Sequence, residues 1–348
     1  MSQVSVVVIS KDEPSLAITL DELRAQCADF GAECVVMDAS MGRLHGVRDD
    51  HPWVHWNDYV GPADRAITIP HQRNAAVAVA TGEVIAFCDA GGIPESGWLA
   101  RLTAPIIGGS AVATGGPIRS LCRSSYGTLN DLPSGSAVRR VITCNFAFNR
   151  ALFDRIGGFD ERYDYGSDTE FGWRIDGAGE SVVSVADAVV TIDWGSRRRQ
   201  LKRDLRYGEA KARQVLLCPG QRRRILQDNP EVLVYPLLFL TAPFGVLGAL
   251  VSRTWSLAAP WALGCALIYG RDLRFRRPHG AMLDHVVVSV GICRELARAS
   301  LARLRNPDRC ETSSHLPLSL PGQAHWRCVP SSPVAALQPW VNPPVGDR

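Results

Sequence analysis

Short apolar runs alternate with amphipathic helical segments through the N-terminal half of the chain. Residues 4–9 form a run rich in β-branched side chains, which is typical of a strand buried on both faces. Leu16, Leu20 and Leu23 then recur at helical spacing, and Gly31 is a suitable residue to end that helix. The chain is therefore predicted to begin with a strand followed by a helix.

The same alternation continues along the next part of the chain. Residues 33–37 and 84–88 are apolar runs that predict two further strands, and residues 71–80 predict an Ala- and Val-rich helix between them. Another helix is predicted to begin at Trp98. A β-α-β order implies parallel strands joined by right-handed crossovers, so the predicted fold class is α/β.

Polar residues follow three of these predicted strands. Lys11, Asp12 and Glu13 come after the first strand, Asp38 after the second, and Asp89 after the third. Each alone could be an ordinary turn or cap residue. Because ligands bind at the carboxyl ends of parallel strands, the three groups together favour a binding site at this edge of the sheet.

The C-terminal half contains two long uncharged segments. Residues 232–252 carry no charge, and as a helix they would extend about 31 Å, close to the thickness of a bilayer's hydrocarbon core. After Arg253, residues 254–270 are again uncharged. The pair predicts a transmembrane hairpin, with a buried helical pair in a soluble domain and a re-entrant or interfacial hairpin as the alternatives.

Basic residues flank the hairpin on both outer sides. Residues 197–224 hold eleven Lys or Arg against two acidic residues, and residues 271–277 read RDLRFRR. The positive-inside rule then predicts that both outer ends face the cytoplasm, so the protein is expected at the membrane with its N-terminal domain on the cytoplasmic side. The basic stretch could be a solvated juxtamembrane face or an anion-binding surface.

Composition excludes several classes of protein. Hydrophobic residues make up 46% and charged residues 21%, which suits a folded chain. A formal net charge of +3 argues against a nucleic-acid-binding protein. Ten cysteines without a C-x-x-C pair indicate a reducing compartment, and the first residues do not predict a signal peptide. The glycine motifs of dinucleotide-binding and P-loop proteins do not occur.

Four sequence blocks resemble those of glycosyltransferase family 2, which has the GT-A fold. They are VSVVVISKDEP (4–14), ECVVMDAS (33–40), HQRNAAVAVATGEVIAFCDAGGIPESGWL (71–99) and CNFAFNRALFDRIGGFDERYDYGSDTEFGWRI (144–175). The resemblance covers residues 4–194, and IGGFDE with a downstream D-x-E-x-x-x-R is fairly specific by itself. It implies a GT-A domain followed by a helical, membrane-associated region.

The resemblance implies a donor pocket for a nucleoside-diphosphate sugar, with a UDP-sugar expected. Six residues would form it: Lys11, Glu13, Asp38, Arg73, Asn74 and Asp89. Asp38 would accept hydrogen bonds from the base or ribose. The planar fork of Arg73 suits the diphosphate, Asn74 could orient that loop, and Asp89 would face the diphosphate.

The resemblance also implies an inverting reaction at a hydroxyl acceptor. Asp168 would accept the proton of the attacking hydroxyl, although it could instead cap a helix over residues 169–175. Asn145 and Trp173 are candidates for the acceptor side, with a strand-end position and core packing as their respective alternatives.

Three departures from the family pattern bear on metal binding. The family's D-x-D sequence is Asp89-Ala90-Gly91 here, so Gly91 replaces the second carboxylate. The usual Glu-Asp at the base is Ser167-Asp168, and a His found late in the domain is replaced near Asp193. Mg²⁺ or Mn²⁺ is a possible cofactor with Asp89 and Asp193 as candidate ligands. Two alternatives to a bound cation are open. Arg73 and the basic cluster at residues 197–203 could neutralise the leaving group, or the domain could have lost catalysis.

These inferences divide the chain into five parts. Residues 1–196 are predicted to be the GT-A domain, 197–231 a basic juxtamembrane linker, 232–270 the hairpin, 271–305 an amphipathic helical segment and 306–348 a disordered tail. The expected function is sugar transfer to a lipid-linked or envelope glycan. A transferase for a peptide or small metabolite, and a catalytically inactive scaffold, are the alternatives.

Overall fold

The computed structural model describes residues 4–61, 68–121, 128–218, 222–254, 258–274 and 281–305. The tail predicted for residues 306–348 lies outside the described residues. Within the described ranges the chain forms ten strands: β1 Val4–Ser10, β2 Glu33–Asp38, β3 His55–Asp58, β4 Val84–Phe87, β5 Gly92–Pro94, β6 Ala113–Gly115, β7 Ile118–Ser120, β8 Phe146–Asn149, β9 Val182–Ser184 and β10 Val190–Ile192.

The same ranges contain eleven α-helices. They are α1 Leu16–Phe30, α2 His45–Asp50, α3 Ile69–Val79, α4 Trp98–Ile107, α5 Arg150–Ile156, α6 Ser167–Gly177, α7 Arg197–Leu217, α8 Arg222–Asp228, α9 Glu231–Ser252, α10 Ala259–Arg274 and α11 Ala281–Arg305.

Seven strands form the central sheet, in the order β3-β2-β1-β4-β8-β6-β9. The parallel pairing predicted for the first part of the chain is confirmed for β1, β2 and β4, and β3, which the sequence analysis did not predict, also pairs parallel to β2. The prediction does not extend to β8, which runs antiparallel to both β4 and β6. A separate small sheet has the order β5-β10-β7, and its three strands all follow β4 in the sequence.

Helices cover both faces of the central sheet, which explains the uninterrupted apolar run of β1. Val6 and Val8 belong to a core cluster with Leu20 of α1, whereas Val7 belongs to the opposite cluster. In that second cluster Phe159, from the IGGFDE segment, packs on Phe171 of α6 with ring centroids 4.6 Å apart. Because β1 pairs parallel with both β2 and β4, the carboxyl ends of these three strands meet at one edge of the sheet.

The segment expected to be a basic linker is mostly the single helix α7. This helix packs closely on α11. A Cβ atom added at Gly208 would lie 2.1 Å from the carbonyl oxygen of Val288, and one at Gly291 would lie 2.1 Å from that of Leu205. Because neither glycine leaves room for a side chain, the two backbones approach each other directly at this crossing.

The two uncharged segments form α9 and α10, which lie side by side. Trp261 of α10 donates a hydrogen bond from Nε1 to Thr241 Oγ1 of α9 at 2.7 Å. α9 continues through Pro236 and Pro243, and only 24% of its most apolar stretch is buried. Of the helices in the described part of the chain, α9 alone is long and apolar enough to cross a membrane, since the apolar stretch of α10 is shorter.

The amphipathic helix predicted within residues 271–305 is present as α11. Its Ile292 is completely buried beside Ala212 of α7 and Val232 of α9 in a small third cluster. One face of α11 therefore packs against protein and joins α7 to the hairpin.

The contact between α7 and α11 can be tested by adding a single methyl group. Gly208→Ala should destabilise the protein by about 1–3 kcal/mol, because the new Cβ atom must displace the backbone of α11. Gly270→Ala in α10 is the matched control, since its Cβ would meet nothing within 4 Å. The control should stabilise its helix by about 1 kcal/mol or less. Thermal unfolding measures both variants, and equal effects would contradict the crossing.

Candidate functional site

A cavity of about 1180 Å³ opens at the carboxyl ends of β1 and β4. Its floor includes Ser10, Arg73 and Asp89 from the sheet side of the molecule. Residues of α7, α9 and α11 complete the opposite wall. The cleft is thus shared between the α/β domain and the C-terminal helices.

Arg73 and Asp89 form an ion pair in the floor of this cleft. Asp89 follows β4, Arg73 projects from α3, and the Arg73 Nη2 atom lies 3.7 Å from Asp89 Oδ1. Arg73 Nη1 donates a long hydrogen bond of 3.4 Å to Ser167 Oγ. Burial raises the pKa of the Asp89 carboxyl, the nearby Arg73 opposes that rise, and the charge of Asp168 adds to it.

Asp168 also faces this cleft, from the first turn of α6. The helix begins after Gly166, whose φ of +80° is in the left-handed region, and no side chain caps it. Asp168 Oδ1 accepts a hydrogen bond from the backbone N–H of Thr169 at 2.8 Å. Asp168 is therefore within the first turn instead of capping a helix over residues 169–175, and it lies near enough to influence Asp89.

Lys11 and Glu13 line the cleft beyond the end of β1, as the sequence predicts for a pocket there. Lys11 is exposed, and Glu13 forms an ion pair with Arg199 of α7. This pair links the loop after β1 to the helix that covers the cleft.

Asp38 lies at the end of β2, beside Ser10 in the strand register, and is 1% exposed. Ser40 Oγ donates to Asp38 Oδ1 at 2.5 Å, while Oδ2 has no hydrogen-bond partner among the described residues. Burial raises the pKa of this carboxyl. Asp38 is therefore a buried acceptor with unused hydrogen-bonding capacity that does not line the cleft, whereas Ser10, beside it in the strand register, does.

Like Asp38, three other predicted residues do not line the cleft. Asn74 accepts the backbone N–H of Phe159 and donates to its carbonyl oxygen, both at 2.8 Å, so it fixes the IGGFDE loop. Asn145 accepts from Trp98 Nε1 at 2.8 Å and donates to two backbone carbonyls. Trp173 is 2% exposed in α6. These contacts support the structural alternatives for Asn145 and Trp173.

The position of the missing second carboxylate cannot easily hold a side chain. Gly91 has a φ of +87°, and a Cβ atom there would lie 2.7 Å from Ser15 Oγ. Asp193 follows β10, and the last residue of that strand, Ile192, pairs with Gly92 of β5. Asp193 therefore lies just beyond this residue pair. It is exposed in the cleft lining and accepts the N–H of Gly195 through Oδ1 at 2.8 Å. The described residues contain no group of three His, Cys, Asp or Glu arranged to hold a metal ion.

The sequence analysis offered the basic segment as a possible anion-binding surface, but it did not identify which residues of α7 line the cleft. Arg199, Arg203, Tyr207 and Lys211 recur every four residues and all line the cavity. That spacing was visible in the basic segment as one face of a helix. Arg203 lies over the Trp194 ring, 5.2 Å from its centroid, and donates from Nη1 to the Trp194 carbonyl oxygen at 3.3 Å.

The far end of the cleft is polar, at the start of α9. Lys211 Nζ donates to Asn229 Oδ1 at 2.5 Å and to Glu231 Oε1 at 2.7 Å. Burial lowers the pKa of Lys211 to about 8. His285 of α11 also lines the cleft, and its Nε2 atom lies 2.7 Å from Asp272 Oδ2.

Relatives of this chain are glycosyltransferases. The pre-mycofactocin glycosyltransferase of Mycobacterium tuberculosis is 25% identical over 268 residues, which are 71% of this chain and 55% of that protein, with the same values in two strains. The chain thus spans about half the length of the curated relatives it matches. No protein-family model matches it, so membership of family 2 stays a prediction.

Among solved structures, the chain is similar to the mannosyltransferase PcManGT from Pyrobaculum calidifontis, solved in complex with GDP-Man and Mn²⁺. The similarity has a TM-score of 0.63 and 18% identity, and covers 85% of this chain and 87% of that one. At this identity the likeness concerns the fold, and it indicates that the mixed α/β domain has a GT-A-like fold.

The constraint at Gly91 can be measured against a second glycine with a similar backbone. Gly91→Ala and Gly109→Ala each place a side chain at positive φ, which costs about 1–2 kcal/mol. Gly91→Ala should cost more than Gly109→Ala in chemical denaturation, because Gly109 has nothing within 4 Å of its added Cβ atom whereas Gly91 meets Ser15. Equal costs would show that Ser15 does not restrict this position.

Proposed function

We propose that this protein is an inverting glycosyltransferase that moves a sugar from a nucleoside diphosphate to a hydroxyl acceptor. The observation that carries this proposal is the placement of Asp168 and the Arg73–Asp89 pair around one cleft, at the carboxyl edge of a GT-A-like sheet. The glycosyltransferase relatives support the same reaction class.

The cleft residues can be assigned to the steps of this reaction. The acceptor oxygen attacks the anomeric carbon, and Asp168 takes the hydroxyl proton as the new glycosidic bond forms. The bond from that carbon to the diphosphate breaks on the opposite face, and its electron pair leaves with the nucleoside diphosphate. Attack opposite the leaving group inverts the configuration. Asp38 would accept hydrogen bonds from the base or ribose, and the expected donor is a UDP-sugar.

A divalent cation is a candidate cofactor, because the mannosyltransferase with the similar fold was solved with Mn²⁺. Asp89 and Asp193 would be its carboxylate ligands, and a bound cation would neutralise charge on the diphosphate. The residues fit this role poorly: Gly91 carries no ligand atom in its side chain, and Arg73 already lies beside Asp89. No step of the reaction is therefore assigned to a cation.

The acceptor is proposed to be a lipid-linked or envelope glycan at a membrane surface. The cleft ends at Glu231 and Tyr235, where α9 begins, and exposed apolar residues such as Leu237, Phe244 and Leu247 follow along this helix. An apolar helix exposed over most of its length suits insertion into a bilayer. The hairpin would then hold the catalytic domain at the cytoplasmic surface. The mycobacterial relative is named for its action on pre-mycofactocin, which favours a second candidate, a transferase for a peptide or small metabolite.

Replacing the proposed base tests the reaction. Asp168→Asn should lower the rate of nucleoside diphosphate release by about 100-fold or more, since the amide cannot accept the hydroxyl proton. The rate is measured with a panel of nucleotide sugars as donors. Membranes from cells that produce the protein supply the acceptor. Asp154→Asn, at an exposed position of α5, is the control and should keep the wild-type rate. A fully active Asp168→Asn enzyme would exclude Asp168 as the base.

Membrane insertion is tested by alkaline carbonate extraction of membranes from expressing cells. The wild-type chain should stay in the membrane pellet. Paired Phe244→Asp and Leu247→Asp changes should release it, because each charge costs about 2.5–3.5 kcal/mol near the centre of a membrane helix. Val60→Asp, at an exposed apolar residue outside the helices, should leave the protein in the pellet. Wild-type protein in the soluble fraction would favour a buried or interfacial hairpin.

A further inference from the structure

Arg73 makes few hydrogen bonds for a buried guanidinium group. Its side chain is 7% exposed, yet its only hydrogen bond among the described residues is the 3.4 Å contact with Ser167. Its Nε atom has no partner in the same set, and Asp89 lies beyond hydrogen-bond distance at 3.7 Å. Because an unmet buried donor is costly, a group with five N–H donors that lines a cavity is poised to bind an anion.

A second guanidinium group lines the same cleft from the opposite wall. Arg203 of α7 lines the cleft, and its position over the ring of Trp194 holds the side chain against the end of β10. Burial, Arg73 and Asp168 have the larger effects on the pKa of Asp89. The positive charge of Arg203 has a smaller effect, which opposes the rise in that pKa. Arg199, one turn earlier, is engaged by Glu13. Arg73 and Arg203 therefore line one cleft from its two walls.

The carboxylates of the cleft do not provide a matching cation site. Gly91 cannot supply a side-chain ligand, and the strain and close contact at this position disfavour any replacement. The carboxylate of Asp89 already has Arg73 on one side and the charge of Arg203 nearby. Arg73 and Arg203 would both repel a divalent cation in the cleft and attract a diphosphate, and they offset the negative charges of Asp89 and Asp168 there.

We propose that Arg73 and Arg203 together bind the diphosphate of the donor and stabilise it as it leaves, so that the site works without a divalent cation. This inference rests on the proposed glycosyl transfer. When the bond between the anomeric carbon and the diphosphate oxygen breaks, that oxygen receives the electron pair. Guanidinium N–H donors from the two walls of the cleft then hold the added negative charge.

Calorimetric titration of the whole chain with UDP and with GDP tests this division of roles. Each nucleotide is titrated once in EDTA and once with MnCl₂. The wild-type protein should bind at least one of them, with the same affinity in both buffers. In EDTA, Arg203→Ala should weaken that binding about tenfold or more, since hydrogen bonds to charged groups contribute on this scale. Arg203→Lys should restore part of the loss because it keeps the charge.

Arg198→Ala is the matched control, because Arg198 is an exposed arginine of the same helix outside the cleft lining. It should bind nucleotide as tightly as the wild type, and thermal unfolding of every variant shows whether the fold is kept. Binding that requires Mn²⁺, or a folded Arg203→Ala protein that binds with unchanged affinity, would overturn the inference and leave the proposed transfer intact. A folded wild-type protein that binds neither nucleotide in either buffer would overturn both.

Discussion

The close approach of α7 to α11 is the contact on which the shape of the cleft depends. Neither Gly208 nor Gly291 has space for a side chain, so the backbones meet where a larger residue would separate them. This contact keeps α7 above the carboxyl edge of the sheet, where its cationic and aromatic side chains face Asp89 and Asp168. The segment predicted from the sequence to be a linker therefore forms one wall of the site.

Charge balance in this cleft follows from burial. Asp89 would be costly to ionise where it lies, and the rise in its pKa expresses that cost. Arg73 reduces the cost without fully pairing with the carboxylate, which leaves donors available to a ligand. A bound diphosphate would complete the hydrogen bonding of Arg73 in a way that Asp89 alone does not. The site is thus better suited to an anionic ligand than to an additional cation.

The C-terminal helices have two roles that the structure connects. α11 packs against both α7 and α9, so the helix that covers the cleft and the apolar hairpin belong to one packed unit. Lys211 of α7 contacts Glu231 at the first turn of α9, which joins the far end of the cleft to the beginning of the apolar surface. An acceptor held at a membrane surface would reach the cleft from this side.

The sequence by itself determined the strands β1, β2 and β4 and the helices α1, α3 and α4, because their apolar periodicity reflects local burial. The resemblance to glycosyltransferase family 2 pointed to Arg73, Asp89 and Asp168, and the structure brings all three to the cleft. The antiparallel insertion of β8 and the structural roles of Asn74 and Asn145 were decided by tertiary structure. Their partners, such as Phe159 for Asn74 and Trp98 for Asn145, are distant in the chain. Arg203 likewise lies at the site because Gly208 of the same helix packs on α11. The sequence shows which residues share a face of this helix, but not which surface that face contacts.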